Sequence, residues 1–374
     1  MTKQFRIVPE IYLFNNCQEF ADAFSIGERD LILTNPTYYH GYMDRFCGEA
    51  NVFFLKDYGT GEPTDVMVEA LYEDVRQVTY DRVIAIGGGS IIDVAKLLVQ
   101  ETVVPLEKLF DKEIPTKKVK KLVVVPTTCG TGSEVTSVSV IDMTGKGTKL
   151  GLQTDEEYAD AAVLIPELAA HIPFRFFAAS SIDALVHAVE SYLSPKATAF
   201  SEMFSIKAIE TILSGYCEIA AATDKEQKKQ ALIGEFLLAS TYAGIAFGNA
   251  GCAAVHAMSL PFSGAHHVPH GEANYALFTG VLKAYYRLCP DGKIQKLNEL
   301  LSHLLKCSQV QVYDGLDELL GQILVKRSLH EYGVEKEELK RYTQTVLTKQ
   351  GRLTANNYTT LDETEILHIY EQLF

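Results

Sequence analysis

The chain has 374 residues, of which 47% are hydrophobic and 22% charged, and its formal net charge is −14 at pH 7. That length accommodates two cores, the apolar share argues against a disordered chain, and the acidic balance argues against nucleic acid or an anionic membrane as partner. Seven scattered cysteines without a Cys-x-x-Cys pair argue against a disulfide framework or a cysteine zinc site; with no signal peptide apparent, they point to the cytoplasm.

The first half alternates strands and helices. Apolar runs at 31–34, 52–55, 83–86 and 122–125 read as buried strands. A helix is expected to start at Thr64-Asp65, behind Pro63, and another covers 91–99. This alternation predicts a parallel sheet covered on both faces. The run Lys117-Lys118-Val119-Lys120-Lys121 reads as a solvated loop. Next, 135–142 and 148–153 flank Met143-Thr144-Gly145-Lys146-Gly147, a hairpin signal, and 161–165 is a short strand ended by Pro166.

From about Ser181 onward the cues are helical, with periodic apolar segments separated by turn residues that include Pro195, Gly264, Pro290 and Gly351. The boundary is therefore expected near residue 180. Residues 1–180 would form an α/β dinucleotide-binding domain with a Rossmann-like parallel sheet, and 181–374 an all-α metal-binding and substrate domain. The uncharged window 236–255 is long enough to cross a bilayer. Its polar residues and glycines, and its run into His256, favour a buried helix followed by a turn.

Two loops suggest a cofactor. Val83-Ile84-Ala85-Ile86 runs into Gly87-Gly88-Gly89-Ser90 and then Ile91-Ile92-Asp93, a strand, glycine turn and helix. Glycines let the backbone approach a phosphate, and the helix N-terminus offers N–H donors and a positive dipole end. The spacing is not Gly-x-Gly-x-x-Gly, so the Rossmann fingerprint is absent and a plain tight turn is the alternative. A second loop, Thr127-Thr128-Cys129-Gly130-Thr131-Gly132, follows the next strand's carboxyl end, where open parallel sheets bind ligands. Two such loops side by side would bracket a dinucleotide.

Four of the ten histidines lie between His256 and His270, and Asp183 and His187 stand four apart on one helix face. Alone, Asp183 and His187 would read as a surface pair and His256 as a core residue. His270, between Pro269 and Gly271, is expected in a turn that aims its ring at His256. Together, three imidazoles and a carboxylate suit a divalent transition metal. Such an ion would keep about one positive charge, stabilise an alkoxide and so make an alcohol a hydride donor to a nicotinamide.

These motifs closely resemble the iron-containing (group III) alcohol dehydrogenases over nearly the whole chain. The carriers are Gly87 to Lys96, Pro126 to Glu134, Asp183-Ala184-Leu185-Val186-His187, His256-Ala257-Met258 and Pro269-His270-Gly271-Glu272-Ala273-Asn274. The resemblance implies a metal, Fe2+ or in some members Zn2+, held by Asp183, His187, His256 and His270. It implies NAD(P) bound by Gly87, Gly88, Gly89, Ser90, Asp93, Thr127, Thr128 and Thr131, and by Lys149, which locally reads only as a strand lysine. It also implies the dehydroquinate synthase-like architecture of two domains with the site in their cleft, and a homodimer or larger homo-oligomer.

Within the family, the segments 58–64, 255–264 and 267–272 are similar to members that interconvert 4-hydroxybutyrate and succinate semialdehyde. Alternatives are a 1,3-propanediol or general alcohol dehydrogenase, a dehydroquinate synthase-like lyase, and a nucleotide-binding sensor without catalysis. Leu260 stands where many relatives carry a histidine, which leaves His267 as the expected catalytic proton carrier, or the cofactor ribose. Asn35 stands where an acidic residue often favours NAD; NAD remains the expectation and NADP the alternative. A substrate carboxylate needs a cationic or donor-rich partner, for which His266, His267 and Arg175 are candidates, with Arg175 reading rather as structural.

Overall fold

The computed structural model describes residues 3–374. Its contacts divide the chain into two compact units, one of residues 7–172 and one of residues 173–374 with the short segment before residue 7. The division falls between Ile172 and Pro173, whereas residue 180 lies inside the helix Phe174–Leu193. Pro173 takes the N-cap of that helix, where its missing N–H removes no helical hydrogen bond.

In the unit of residues 7–172, eight strands are formed: β1 (Glu10–Leu13), β2 (Asp30–Thr34), β3 (Asn51–Phe54), β4 (Arg82–Gly87), β5 (Lys121–Pro126), β6 (Val138–Met143), β7 (Thr148–Gln153) and β8 (Ala161–Leu164). Six make a parallel sheet in the order β1-β8-β5-β4-β2-β3, and β6 and β7 pair separately as an antiparallel hairpin. The register sets Ile32 beside Ile84 and Ile84 beside Val123. Alternation then sends Leu31, Leu33, Val83, Ala85, Leu122 and Val124 into one core and Ile32, Ile84, Ile86, Val123 and Val125 into the other. The helix Asp65–Val75 covers the first core, with Thr64 accepting from the Met67 N–H at 3.2 Å. Helix Cys17–Phe24 covers the second through Cys17 and Phe20.

Two edges depart from the sequence reading. Strand β1 was not anticipated, since all four of its residues are exposed and it has no buried apolar run. Strand β3 is only half-buried, because it forms the opposite edge. The lysine run is a largely exposed loop, as the sequence reading expects, and its lysines find partners. Lys118 and Lys121 both pair with Asp160, Lys117 pairs with Glu101, and Lys120 donates to the Tyr80 carbonyl while lying 3.9 Å from the centre of its ring.

The second unit is helical. The helix Lys225–Ala250 is long and apolar enough to cross a membrane, but most of its apolar stretch is buried against neighbours that include Phe174–Leu193 and Ala199–Ala221. Gly251, at φ +80, ends it. His256 then falls within a further helix, Ala254–His266, rather than in a turn. Pro261 and Gly264 both lie inside that helix, so their presence is not a break. His270 likewise opens the helix His270–Leu288 behind a Pro269 N-cap, and its position comes from that helix start instead of a turn.

Candidate cofactor cleft and metal centre

Gly87 and Pro126 are neighbours at the carboxyl ends of β4 and β5, so both glycine-bearing loops leave the sheet side by side. The Thr127 N–H donates to the Gly87 carbonyl at 3.0 Å and joins them. At Gly87 a Cβ would stand 2.8 Å from the Cβ of Ile91, so only glycine lets the strand turn this tightly into the helix Gly89–Leu98. A cleft of about 460 Å³ opens at these loops, lined among others by Asn35, Gly88, Gly89, Ser90, Thr127 and Thr128. Among the described residues, the hydroxyls of Thr127 and Thr128 are buried without a hydrogen-bond partner. Orphaned hydroxyls beside a helix N-terminus fit a ligand that brings phosphate and ribose oxygens.

Gly87, Asp93, Thr131 and Lys149 are not among the lining residues. Asp93 is buried and accepts from the Ser133 hydroxyl at 3.2 Å and the Val140 N–H at 3.1 Å, with the Lys96 ammonium 3.8 Å away. It thereby ties the glycine-loop helix to the segment after β5 and to β6. Burial pushes the Asp93 carboxyl up and the Lys96 ammonium down, each against the pull of the other's charge. Thr131 packs over Gly89, where a Cβ would stand 3.0 Å from its methyl group. Lys149, on β7, pairs with Glu62. Asn35 follows β2 and, half-buried, lines the cleft.

In the helical unit three helices converge. Phe174–Leu193 supplies Asp183 and His187, Ala254–His266 supplies His256, and His270–Leu288 supplies His270. One ligand atom from each of the four lies within 4.8 Å of all the others. His256 Nε2 is 3.8 Å and His270 Nε2 3.9 Å from Asp183 Oδ1. Those spacings are too long for direct hydrogen bonds and suit atoms around a shared ion. His256 Nε2 is also buried with no hydrogen-bond partner among the described residues, the orphan that an ion would satisfy. Asp183, His187 and His256 are buried, and His270 is half-buried.

Close helix approach makes the cluster. At Gly271 a Cβ would overlap the carbonyl oxygen of Ala179 and stand 2.8 Å from its carbonyl carbon. Glycine there lets the start of one helix seat against the other and brings His270 to Asp183. Glu272, next along, is buried and takes both arms of the Arg175 guanidinium at 2.9 and 3.1 Å, with the Tyr332 hydroxyl at 3.3 Å. Arg175 is thus committed to a structural fork.

Burial pushes the Asp183 carboxyl up, but His187, His270, His256 and the Asn274 amide outweigh it and leave its pKa below the ordinary value. Asn274 donates to Asp183 Oδ1 at 2.7 Å and lies 3.1 Å from His270 Nε2. For His256, burial pushes the pKa down, but Glu190 and Asp183 together raise it above the ordinary value. His187 stacks between Phe247 and His256, with ring centres at 4.3 and 4.6 Å.

The other two histidines of the motif stand apart from this group. His266 Nε2 is 2.9 Å from Glu338 Oε2 and 3.0 Å from the Tyr342 hydroxyl. His267 is exposed, in the left-handed conformation at φ +52 that caps the His256 helix. Sequence reasoning missed Glu190 and Asn274. Glu190 stands seven residues after Asp183 and three after His187, and Asn274 four after His270, so helical spacing places each on the same helix face as its neighbour in the cluster.

Residues 9–166 match the family model for iron-containing alcohol dehydrogenase, and residues 177–374 that for the C-terminal part of the Fe-containing alcohol dehydrogenase family. The chain is 44% identical over 372 residues to the 4-hydroxybutyrate dehydrogenase of Clostridium kluyveri, covering 100% of both. It is 33% identical to long-chain-alcohol dehydrogenase 1 of Geobacillus thermodenitrificans, over 80% of this chain and 76% of that one. Its fold is shared with the sulfoacetaldehyde reductase of Bifidobacterium kashiwanohense, solved in complex with NAD+, at a TM-score of 0.85 and 22% identity over 100% and 99% of the two chains. With both units matched and the glycine-loop and histidine motifs in place, the chain belongs to the iron-containing alcohol dehydrogenase family.

Proposed function

We propose that the protein is a metal-dependent, NAD-linked dehydrogenase that interconverts a small primary alcohol and its aldehyde, with 4-hydroxybutyrate and succinate semialdehyde as the pair. The observation that carries the substrate is the 44% identity, over 100% of both chains, to the Clostridium kluyveri enzyme. The four-ligand cluster and the glycine-loop cleft support the two cofactors.

Asp183, His187, His256 and His270 hold the divalent ion, Fe2+ with Zn2+ as the alternative. Once bound, that ion supplies a Lewis acid for the alcohol or carbonyl oxygen, and NAD supplies the hydride acceptor. The low pKa of Asp183 keeps it ionised, and burial of three of the four ligands excludes competing water. Gly88, Gly89 and Ser90 offer backbone donors to the cofactor phosphates, and Thr127 and Thr128 offer hydroxyls. Roles for Gly87, Asp93, Thr131 and Lys149 are then indirect: a tight turn, a buried tether, a packing contact and an ion pair. His267 is the proposed proton carrier; water has access to the same exposed position, so His267→Ala should lower turnover by only about tenfold, below the usual range for general acid–base groups.

A homodimer is the proposed assembly. In its favour is the outer edge of β1, which pairs with no further strand among the described residues and carries exposed Ile11, Tyr12 and Leu13 beside exposed Ile7 and Val8. Seven unpaired cysteines fit a reducing, cytoplasmic setting.

The test is turnover by anaerobically purified, metal-analysed protein with NAD and 4-hydroxybutyrate, 1,3-propanediol or butanol. The highest kcat/KM should belong to 4-hydroxybutyrate, with one NADH formed per alcohol oxidised. Preference for 1,3-propanediol would move the substrate to a neutral diol, and the absence of net NADH would favour a lyase.

A further inference from the structure

Glu190 lies behind the metal cluster, on the Asp183 helix, and is only 3% exposed. Its Oε1 accepts the Val255 N–H at 2.6 Å and its Oε2 the Ala253 N–H at 2.9 Å. His256 Nδ1 is a further 2.6 Å from Oε2. With both oxygens receiving backbone donors, the carboxylate is an acceptor, and the imidazole nitrogen facing it must donate. In a neutral ring the lone pair then belongs to Nε2, which is the nitrogen turned toward Asp183 and left without a partner.

We propose that Glu190 is a positioning residue for the metal centre: it fixes the Nδ1–H tautomer and the plane of His256, so that Nε2 faces the other three ligands. This rests on the metal reading given above and adds to it the residue that orients one ligand. The same carboxylate ties down the first turn of the helix that carries His256. Ligand orientation and helix placement therefore share one buried group.

A rival arrangement exists close by. Glu190, Cys252 and His256 can also bring one ligand atom each within 4.8 Å of one another. An ion there would need His256 Nδ1 and a Glu190 oxygen, both of which are already engaged with each other. The outer group thus orients a ligand and is not itself an ion site.

The experiment is cobalt(II) binding to the full chain, read by chelator competition and by the visible ligand-field spectrum, for wild type, Glu190→Gln, Glu190→Asp and Asp183→Ala. Glutamine places an amide donor against Nδ1 or removes an acceptor from the backbone, whereas aspartate keeps the charge and the acceptors. Cobalt affinity should fall by about 10- to 100-fold in Glu190→Gln, with an altered ligand-field spectrum, and recover in part in Glu190→Asp. Melting with chelator present checks that each variant is folded, and the Glu190→Asp spectrum decides the matter should the glutamine variant not fold. Affinity and spectrum unchanged in Glu190→Gln, with Asp183→Ala unable to bind, would overturn the role of Glu190 alone. A thiolate-to-cobalt charge-transfer band in wild type, lost in Cys252→Ser, would overturn it in favour of the rival site. Absence of stoichiometric cobalt binding by wild type would overturn the metal reading together with this one.

Discussion

The two units build their sites by opposite means. In the α/β unit the cleft is made mainly by backbone: two loops at adjacent strand ends, a helix N-terminus and glycines that clear space. In the helical unit the cluster is made by side chains, four from three helices, with backbone serving only to bring them close. A site of backbone donors tolerates side-chain exchange unless bulk is added. A site of ligating side chains fails when one is lost.

The largest effect is expected at a ligand. His270→Ala should remove stoichiometric metal and, because Lewis-acid stabilisation supplies several kcal/mol, lower turnover by about 10³-fold or more. Metal analysis and NADH formation would check both; full activity with three ligands would end the account of a side-chain-built centre. Next comes the one place where the helical unit depends on backbone. Gly271→Ala forces a methyl group against the Ala179 carbonyl. Overpacking of this kind destabilises by about 1–3 kcal/mol, and metal affinity should fall with it, since His270 moves away from Asp183. Thermal melting with chelator, set beside metal titration, separates the two losses.

A third test belongs to the α/β unit. Burial raises the Glu157 carboxyl from an ordinary 4.5 to about 8, against the pull of Lys96 and Ser139. The folded state holds this proton more tightly than the unfolded chain. The stabilisation is therefore complete below pH 4.5 and is lost as pH rises to about 8. Glu157→Gln, neutral at every pH, should remove that fall and at pH 8 and above be the more stable protein, by on the order of a few kcal/mol. Denaturant midpoints across the range would show it, and parallel slopes for the two proteins would refute it. The smallest effect is expected at Asn35. A carboxylate in Asn35→Asp should repel the 2′-phosphate of NADP and shift the NAD-to-NADP preference by roughly tenfold, about 1.4 kcal/mol. An unchanged ratio of kcat/KM would place the adenosine ribose away from Asn35.

Legibility in the sequence followed burial. Strands β2, β4 and β5 are inner strands with both faces covered, so their apolar runs were plain. Strand β1 was missed because an exposed edge imposes no such run, and Cys17–Phe24 was missed because only a short face of it is buried. The four residues of the candidate cluster could be named because their side-chain chemistry is distinctive, though not the helix that holds His256. Pro261 and Gly264 mimic a break there, and the packing that overrides them is tertiary. Glu190 escaped for a related reason. A glutamate on a long helix reads as surface, and only the fold reveals that Ala253, Val255 and His256 close over it.

The convergence of three helices on one point has a last consequence, for handling and for life in the cell. An ion that grips residues so distant along the chain has no comparable grip on the unfolded polymer, so occupancy would act as a reversible staple. Resistance to heat and proteolysis should then track free metal in the surroundings, rising by about 2.7 kcal/mol at a hundred times the dissociation constant. Starved of its ion, the protein would become fragile as well as idle.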